Sequence, residues 1–304
     1  MGTVSTTIHP ALPRPTDLRQ VLQRLGDYWA LIKSLQTGLL LATAVAGYVS
    51  GCCLNTSAGS LAMLLGSLFL AVSGSTVLNM AFDRDIDAKM HRTACRPLPA
   101  GRLSAVEAWA LGALLTASGL LWAAVVDSRY AAVVAGGVVL DVLVYTVWLK
   151  RRTPFAIILG GLSGGMPALA GRTLALGQVD LLGVLLALAI LLWIPTHIMT
   201  FSIKYQGEYA TAGVPTFPSQ FGVRITRWII AASTLLAVLV MGTFGWLLHL
   251  PDLTLAFLFS LGICLMILVV LSLIKPSRKL NFILYKGASI YMLFSMMLVI
   301  AGGF

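Results

Sequence analysis

Charged side chains are scarce in this chain of 304 residues. Only 11% of the residues are Asp, Glu, Lys or Arg, whereas an average soluble domain has about 25%. A water-solvated globule with this composition would lack the charge to cover its surface, because 58% of the residues are hydrophobic. A soluble enzyme is therefore nearly excluded.

Cysteine pairs and a secretory signal are missing as well. The four cysteines form no C-x-x-C pair and have no spacing typical of a metal site; they are Cys52, Cys53, Cys95 and Cys264. Residues 1–27 lack the continuous apolar segment of a secretory signal. We therefore expect the chain to enter the membrane through its own helices.

Long stretches without any charged side chain dominate the rest of the sequence. Seven of them run for 18 to 49 residues, at 34–82, 108–126, 153–171, 181–203, 228–251, 253–274 and 287–304. Each can cross a bilayer, which takes about 20 apolar residues per helix. The longest holds two crossings, and residues 130–149 add another, interrupted only by Asp141. The pattern predicts an all-α, polytopic membrane protein with a bundle of nine transmembrane helices.

The basic residues fall almost entirely on one side of these predicted helices. Of the 21 Lys and Arg residues, only Arg129 and Arg172 fall in the loops of the other side. Basic residues concentrate in cytoplasmic loops, so we predict a cytoplasmic N-terminus and an outside C-terminus. The same rule explains the net charge of +10, and we expect the lipid bilayer, not nucleic acid, as the partner.

The domain organisation follows from the same pattern. We predict that residues 1–27 form a cytoplasmic segment and residues 28–304 a single membrane-embedded domain. Leu18, Val21, Leu22 and Leu25 repeat at helical spacing, which favours a short amphipathic helix on the membrane surface. The glycine-rich residues 160–165 indicate close helix packing, or alternatively room for a flat or bulky ligand.

An acidic motif leaves the second predicted helix. If that helix continues, Asn79, Asp83 and Asp87 share one face because they are spaced by four. Two adjacent carboxylates repel each other and need a cation or basic side chains beside them. Oxygen ligands without His or Cys favour Mg²⁺, which takes one or two carboxylates together with phosphate oxygens and waters. The motif predicts a magnesium-bound phosphate compound; the alternative is a loop closed by local salt bridges.

Further candidates lie on the same predicted side. Arg92, Arg96 and Arg102 surround a Pro-Leu-Pro segment. Guanidinium groups suit phosphate oxygens; the alternative is that these residues only follow the charge rule for cytoplasmic loops. Lys150 and Arg151 end the fourth predicted helix, where they add positive charge near a diphosphate or simply anchor the helix. The loop after the sixth predicted helix contains Lys204 and Glu208, and Glu208 is its only carboxylate.

Four segments together resemble a known family. They are NMAFDRDIDAKMHRTACRPLPAGRLS at 79–104, VYTVWLKRRTPFAIILGGLSGGMPALAG at 144–171, PTH at 195–197 and EYATAGVPTFP at 208–218. They are similar to the protohaem IX farnesyltransferases (haem O synthases), which are UbiA-type intramembrane prenyltransferases.

The resemblance implies a reaction and a set of residues. Farnesyl diphosphate loses its diphosphate with the help of Mg²⁺, and a vinyl group of haem b (protohaem IX) captures the allylic cation. The implied catalytic residues are Asp83, Asp87 and Lys150. The implied metal ligands are Asn79, Asp83, Asp87 and Glu208. The implied substrate-binding residues are Asn79, Tyr145, His197 and Lys204; Arg96 and Arg151 are predicted as substrate-binding residues from their charge and position alone.

Two positions depart from the family pattern. Gly207 precedes Glu208 where the family usually has an acidic pair, and Lys33-Ser34-Leu35 replaces a Lys-Pro-Arg run. Weaker metal binding, another acceptor, such as a quinone or lipid precursor, and a haem-binding relative without catalysis are the consequences left open. A transporter is a further class, but it predicts an inverted repeat, which the sequence does not display.

Two residues inside predicted helices have two interpretations each. His197 either contacts the iron or a propionate of haem, or is a neutral buried histidine bonded to a hydroxyl. Asp141 is an acid within a membrane span, where such residues usually mark function. A structural hydrogen bond from Asp141 to Tyr145 or Thr146 is the alternative.

Overall fold

Thirteen helical segments make up the part of the chain that the structure describes. The structure is a computed structural model and describes residues 18–52 and 57–303, so residues 1–17 of the predicted N-terminal segment and Cys53 lie outside it. We number the α-helices α1 to α12 and call the π-helical piece at Val139–Leu149 the π segment. The α-helices are α1 Leu18–Leu31, α2 Ser34–Cys52, α3 Ala58–Phe82, α4 Arg84–Lys89, α5 Ala105–Val126, α6 Ser128–Val138, α7 Ala156–Leu176, α8 Leu181–Lys204, α9 Gln206–Thr211, α10 Phe217–Leu247, α11 Asp252–Ile274 and α12 Arg278–Gly302.

Local sequence signals fix several helix starts. Ser104 precedes α5 and forms a capping box with Glu107, so two free backbone N–H groups are satisfied together. Asp127 caps α6 by accepting a hydrogen bond from the Tyr130 N–H. Asp180 and Ser277 cap α8 and α12 in the same way. Each cap is a residue that prefers this position because its oxygen can accept from the first turn.

The protein is an integral, multi-pass membrane protein. Seven helices in the described residues are long and apolar enough to cross a membrane, and α1 with α2, bent by 47°, raises the number to eight. The glycine-rich α7 has 21 residues and corresponds to the fifth predicted crossing, at 153–171, which brings the number to nine. The prediction of an all-α bundle of about nine transmembrane helices is therefore confirmed. The orientation of the two termini stays a prediction.

The helix predicted near the N-terminus is present as α1. It runs from Leu18 to Leu31 and thus continues past the predicted domain boundary at residue 27. Its apolar side chains point away from the protein, and Leu18, Leu22, Leu25 and Trp29 are each more than half exposed. An exposed apolar face of this kind suits a helix that lies on the membrane surface.

Glycines bring α2 and α7 into backbone contact. A Cβ atom at Gly47 would lie 2.0 Å from the carbonyl oxygen of Ala168, and one at Gly171 would lie 2.0 Å from that of Ala44. Within the glycine-rich part of α7, a Cβ at Gly165 would meet the Ala187 backbone of α8 at 2.6 Å. The glycines at these contacts therefore serve close packing, which was the first of the two interpretations.

An ion pair joins α7 and α8 at the membrane face away from α4. Nε and Nη2 of Arg172 each donate to one carboxylate oxygen of Asp180 at 2.8 Å, and Nη1 donates to the hydroxyl of Ser50 at 2.9 Å. Burial raises the pKa of Asp180, but the hydrogen bonds from Arg172 and the Gly183 N–H outweigh it, so the pKa is lowered overall. Ionised Asp180 therefore stabilises the folded protein.

This ion pair predicts a pH-dependent stability. Because the folded-state pKa is lowered, the stabilisation is complete above the unfolded pKa, about 3.9, and is lost as pH falls through the folded value. We expect Asp180→Asn to reduce the unfolding free energy by about 1.5–3 kcal/mol at pH 7, and the difference to shrink below about pH 4. Thermal unfolding in detergent from pH 3 to 7 measures this. A difference that stays constant with pH would contradict it.

Candidate active site

The acidic motif lies where α3 passes into α4. The backbone N–H of Asp83 bonds the carbonyl of Asn79 at 2.9 Å, and that of Asp87 bonds the carbonyl of Asp83 at 2.8 Å. Helical hydrogen bonding therefore continues through the junction, and the three side chains share one face as their spacing predicts. All three line a cavity of about 230 Å³, which we call the first cavity.

Each carboxylate of the motif has a basic partner from another part of the chain. Lys150 Nζ contacts Asp83 Oδ2, and Arg96 Nη1 lies 2.7 Å from Asp87 Oδ2. Both Asp side chains are buried to more than nine tenths. The other oxygen of Asp83, Oδ1, is buried without a hydrogen-bond partner; the Arg151 guanidinium lies 4.0 Å from it, beyond hydrogen-bond distance. A buried carboxylate oxygen without a donor is costly, and a cation in the cavity would satisfy it.

Asp141 fixes the orientation of Asn79. Its Oδ2 accepts hydrogen bonds from Asn79 Nδ2 at 2.7 Å and from the Ser75 hydroxyl. The Thr146 hydroxyl donates to Asn79 Oδ1 at 2.7 Å, so both ends of the amide are held. The predicted alternative partners of Asp141 were Tyr145 and Thr146; Thr146 contacts its backbone carbonyl. The signal in the sequence was the acid itself, standing alone in an apolar run.

The π segment and the residue that follows it place three further groups at the first cavity. Asp141, Tyr145 and Lys150 all line it, and the Lys150 N–H bonds the Tyr145 carbonyl five residues earlier. Burial lowers the pKa of Lys150, but Tyr145 and Asp83 more than offset this, so the pKa is raised overall. Lys150 is therefore a cation, with its ammonium 5.5 Å from the centre of the Tyr145 ring.

Two further basic residues line the first cavity; Arg92 was a possible phosphate ligand from its residue type, and Lys33 was not proposed as a site residue. Lys33 lines it from the short break between α1 and α2. Arg92 also lines it, and its guanidinium lies 4.9 Å from the ring centre of Phe201 and 5.3 Å from that of Tyr205. Their basic charge was visible in the sequence, but it was indistinguishable from the general excess of charge on this side.

Arg151 lies outside the lining of the first cavity. It donates two hydrogen bonds to Asp85, at 2.7 and 2.9 Å, and one to the Phe82 carbonyl. The hydrogen bonds from Arg151 lower the pKa of Asp85, although partial burial opposes them. This pair ties the π segment to the α3–α4 junction, and Arg151 stays a prediction as a substrate-binding residue.

The second predicted loop is the short helix α9. Tyr209 of α9 lines the first cavity, whereas Glu208 is not among the lining residues and accepts a hydrogen bond from the Arg92 backbone N–H at 3.2 Å. Across the described residues, no group of three His, Cys, Asp or Glu side chains could hold a metal ion. The described donor set is thus two carboxylates and an amide, which suits Mg²⁺ shared with phosphate oxygens. Glu208 stays a prediction as a metal ligand.

His197 and Lys204, both on α8, are not among the residues that line the first cavity. The His197 ring stacks between Trp193 and Tyr285, with ring centres 4.9 and 4.5 Å away, and its Nδ1 lies 3.1 Å from the Ser289 hydroxyl. Lys204 lines a second cavity of about 270 Å³ between α8 and α12. Neither residue is brought to Asp83 and Asp87, and both stay predictions as substrate-binding residues.

The sequence of this chain matches a known protein family and several curated proteins. The model of the UbiA prenyltransferase family matches residues 37–295. A curated protein of Korarchaeum cryptofilum named "Protoheme IX farnesyltransferase" is 42% identical over 217 residues, covering 71% of this chain and 73% of that protein. Proteins of the same name from Archaeoglobus fulgidus and Desulforudis audaxviator are 39% and 35% identical, and the alignments cover 70% and 87% of this chain and 75% and 84% of those proteins.

Solved structures share the fold. A structure of a digeranylgeranylglyceryl phosphate synthase has a TM-score of 0.77 at 20% identity, covering 92% of this chain and 99% of its own. A UbiA homolog from Archaeoglobus fulgidus bound to GPP and Mg²⁺ has a TM-score of 0.68 at 15% identity, covering 90% and 99%. The chain belongs to the UbiA prenyltransferase family.

Proposed function

We propose that the protein transfers the farnesyl group of farnesyl diphosphate to a vinyl group of protohaem IX, and that the first cavity holds the diphosphate with Mg²⁺. The observation that carries the proposal is the pair of buried carboxylates, Asp83 and Asp87, with one oxygen left without a donor. The relatives named "Protoheme IX farnesyltransferase" support this acceptor, with up to 42% identity among those compared.

The reaction divides into bond breaking and bond making. The bond between C1 of the farnesyl group and its diphosphate oxygen breaks, and the diphosphate leaves with the electron pair. The π electrons of the vinyl group form the new carbon–carbon bond with C1. Water adds to the resulting cation and loses a proton, which leaves a hydroxyethylfarnesyl side chain on the porphyrin.

The residues around the first cavity suit the first of these steps. Asn79, Asp83 and Asp87 would hold the ion, and Mg²⁺ when bound supplies positive charge that favours departure of the diphosphate. Lys150, Arg96 and Lys33 add cationic charge from the protein. Such charge lowers the barrier because the leaving group becomes more negative in the transition state.

Apolar residues suit the second step. The remaining lining of the first cavity includes Met80, Ile86, Met90, Ile157, Ile198 and Val214. An allylic cation reacts with any water that reaches it, so an apolar wall favours capture by the vinyl group. The aromatic ring of Tyr145, with its face near a cation, adds a surface that attracts positive charge.

One assay tests the proposal. Purified protein is incubated with protohaem IX, farnesyl diphosphate and Mg²⁺, and the products are identified by mass spectrometry. We expect farnesylated haem, its loss on chelation of divalent ions, and its recovery on addition of Mg²⁺. Product with a phenolic or lipid acceptor but not with haem would overturn the acceptor, and no product with any acceptor would favour a haem-binding protein without catalysis.

Asp141 gives a prediction about Mg²⁺ affinity. Asp141→Asn removes the charge that orients Asn79, and changes to residues that orient metal ligands typically cost about 10- to 100-fold in affinity or activity. We expect the Mg²⁺ concentration for half-maximal activity to rise by about that factor. Ser75→Ala is the matched control, since Ser75 contacts Asp141 but is not among the residues lining the first cavity. Equal effects of the two variants would contradict the role given to Asp141.

A further inference from the structure

The second cavity is formed by different residues from the first. Thr200, Phe201 and Lys204 of α8, with the adjoining Tyr205, face Asn281, Phe282 and Tyr285 of α12 across about 270 Å³. None of these seven residues lines the first cavity. The second cavity lies at the end of the bundle where α8 ends and α12 begins, close to α9.

Positive charge at this cavity has no acidic partner. Lys204 lines the cavity, and its ammonium lies 4.2 Å from the ring centre of Phe282 and 5.0 Å from that of Tyr205. Lys286 is not a lining residue, but its ammonium lies 4.9 Å from the ring centre of Phe282, which is one. In residues 18–52 and 57–303, no carboxylate pairs with either lysine. Two ammonium groups beside one ring, without a counter-charge, favour an anionic ligand.

Flat aromatic surfaces continue from the second cavity into the bundle. Phe282 and Tyr285 are nearly parallel, at 13°, and Tyr285 stacks on His197 at 28°. Trp193 stacks on the far side of His197 at 25°. Planar ligands favour such stacked surfaces, because ring faces offer a large apolar contact area.

Asn281 supplies an unsatisfied polar atom at the same place. Its side-chain N–H donates to the Thr200 carbonyl at 2.8 Å, but its Oδ1 is buried and has no donor. Asn281 is 4% exposed. A buried acceptor without a donor is rare in native proteins, but an ionised carboxylate has no proton to donate to this oxygen, so only a water or a hydroxyl could satisfy it.

We propose that the second cavity binds the carboxylate edge of the planar acceptor, which under the proposed function means the propionates of protohaem IX. Whole sites for drug-sized ligands have volumes of about 300–1,000 Å³, so this cavity holds an edge and not the entire macrocycle. Lys204 and Lys286 neutralise the carboxylates. The flat body extends toward Phe201 and Tyr205, whose rings contact Arg92 of the first cavity.

The test measures haem and prenyl diphosphate separately. In the full chain, we expect the double variant Lys204→Gln/Lys286→Gln to raise the KM for protohaem about tenfold or more, with the KM for farnesyl diphosphate unchanged. Lys275→Gln/Lys279→Gln is the matched control, because it removes two basic side chains that neither line the cavity nor contact the Phe282 ring, as Lys204 and Lys286 do. The wild type should bind protohaem dimethyl ester weakly, and the double variant should not weaken that binding further.

Three outcomes overturn the proposal. The first is an unchanged KM for protohaem while product still forms, which would leave the proposed function intact. The second is a rise in the KM for farnesyl diphosphate instead, which would return Lys204 to the diphosphate. The third is that the wild type retains anionic phospholipid and the double variant does not, while the two proteins have equal KM values for protohaem in phosphatidylcholine nanodiscs. The anion bound in the second cavity would then be a lipid headgroup. Absence of any haem product in the wild type would instead disprove the proposed function.

Discussion

Asp83→Asn is expected to lower the rate of prenyl transfer by about 10²- to 10³-fold, the cost typical of removing one group that stabilises transition-state charge. The substitution keeps the size of the side chain but removes its charge. Oδ1 of Asp83 is the buried oxygen without a donor, and Oδ2 holds Lys150. The substitution therefore weakens the binding of the Mg²⁺ ion and of the Lys150 ammonium at the same time. Single-turnover assays with farnesyl diphosphate and haem measure the rate.

Asp85→Asn is the matched control for this variant. Asp85 lies two residues away, but its side chain is 57% exposed and pairs with Arg151 outside the first cavity. We expect this variant to retain most of the activity, because exposed ion pairs contribute little. If Asp83→Asn and Asp85→Asn lose activity equally, the carboxylates act only through the general charge of the loop and the site is wrongly placed.

The largest loss of stability is expected from Gly171→Ala. The added Cβ would lie 2.0 Å from the Ala44 carbonyl oxygen, and a backbone atom cannot move aside as a flexible side chain can. Overpacking of a core typically costs about 1–3 kcal/mol and occasionally more; we expect this variant at or above the upper end. Thermal unfolding in detergent measures the change.

Gly136→Ala provides the comparison for Gly171→Ala. Gly136 lies in α6, and a Cβ there would have no heavy atom within 4 Å. Alanine is a better helix former than glycine by about 1 kcal/mol, so we expect Gly136→Ala to be neutral or stabilising. A Gly171→Ala protein as stable as the Gly136→Ala protein would show that α2 and α7 can separate without cost.

The membrane helices and the acidic motif were predictable because both depend on local sequence. A span needs only length and the absence of charge, and residues four apart share a helix face whatever surrounds them. The nine predicted crossings therefore correspond to helices, and Asn79, Asp83 and Asp87 line one cavity.

The partners of these residues depend on packing and register, which local sequence does not encode. Asp141 lies on the π segment and Lys150 directly follows it. Hydrogen bonds there span five residues and not four, so an α-helical pattern misplaces both side chains. Arg151 forms an ion pair with Asp85, and Lys204 lines the second cavity opposite residues of α12. Each of these basic residues was indistinguishable in sequence from the others on the same side of the membrane.

Arg92 touches both cavities, and this has a thermodynamic consequence. Its guanidinium lines the first cavity and also lies against Phe201 and Tyr205 of the second. An occupant of one cavity that displaces this guanidinium alters the wall of the other. Any such coupling is reciprocal, because each ligand must change the affinity for its counterpart by the same factor. The overall affinity of the protein for the two substrates together would then be the same, whichever substrate is added first.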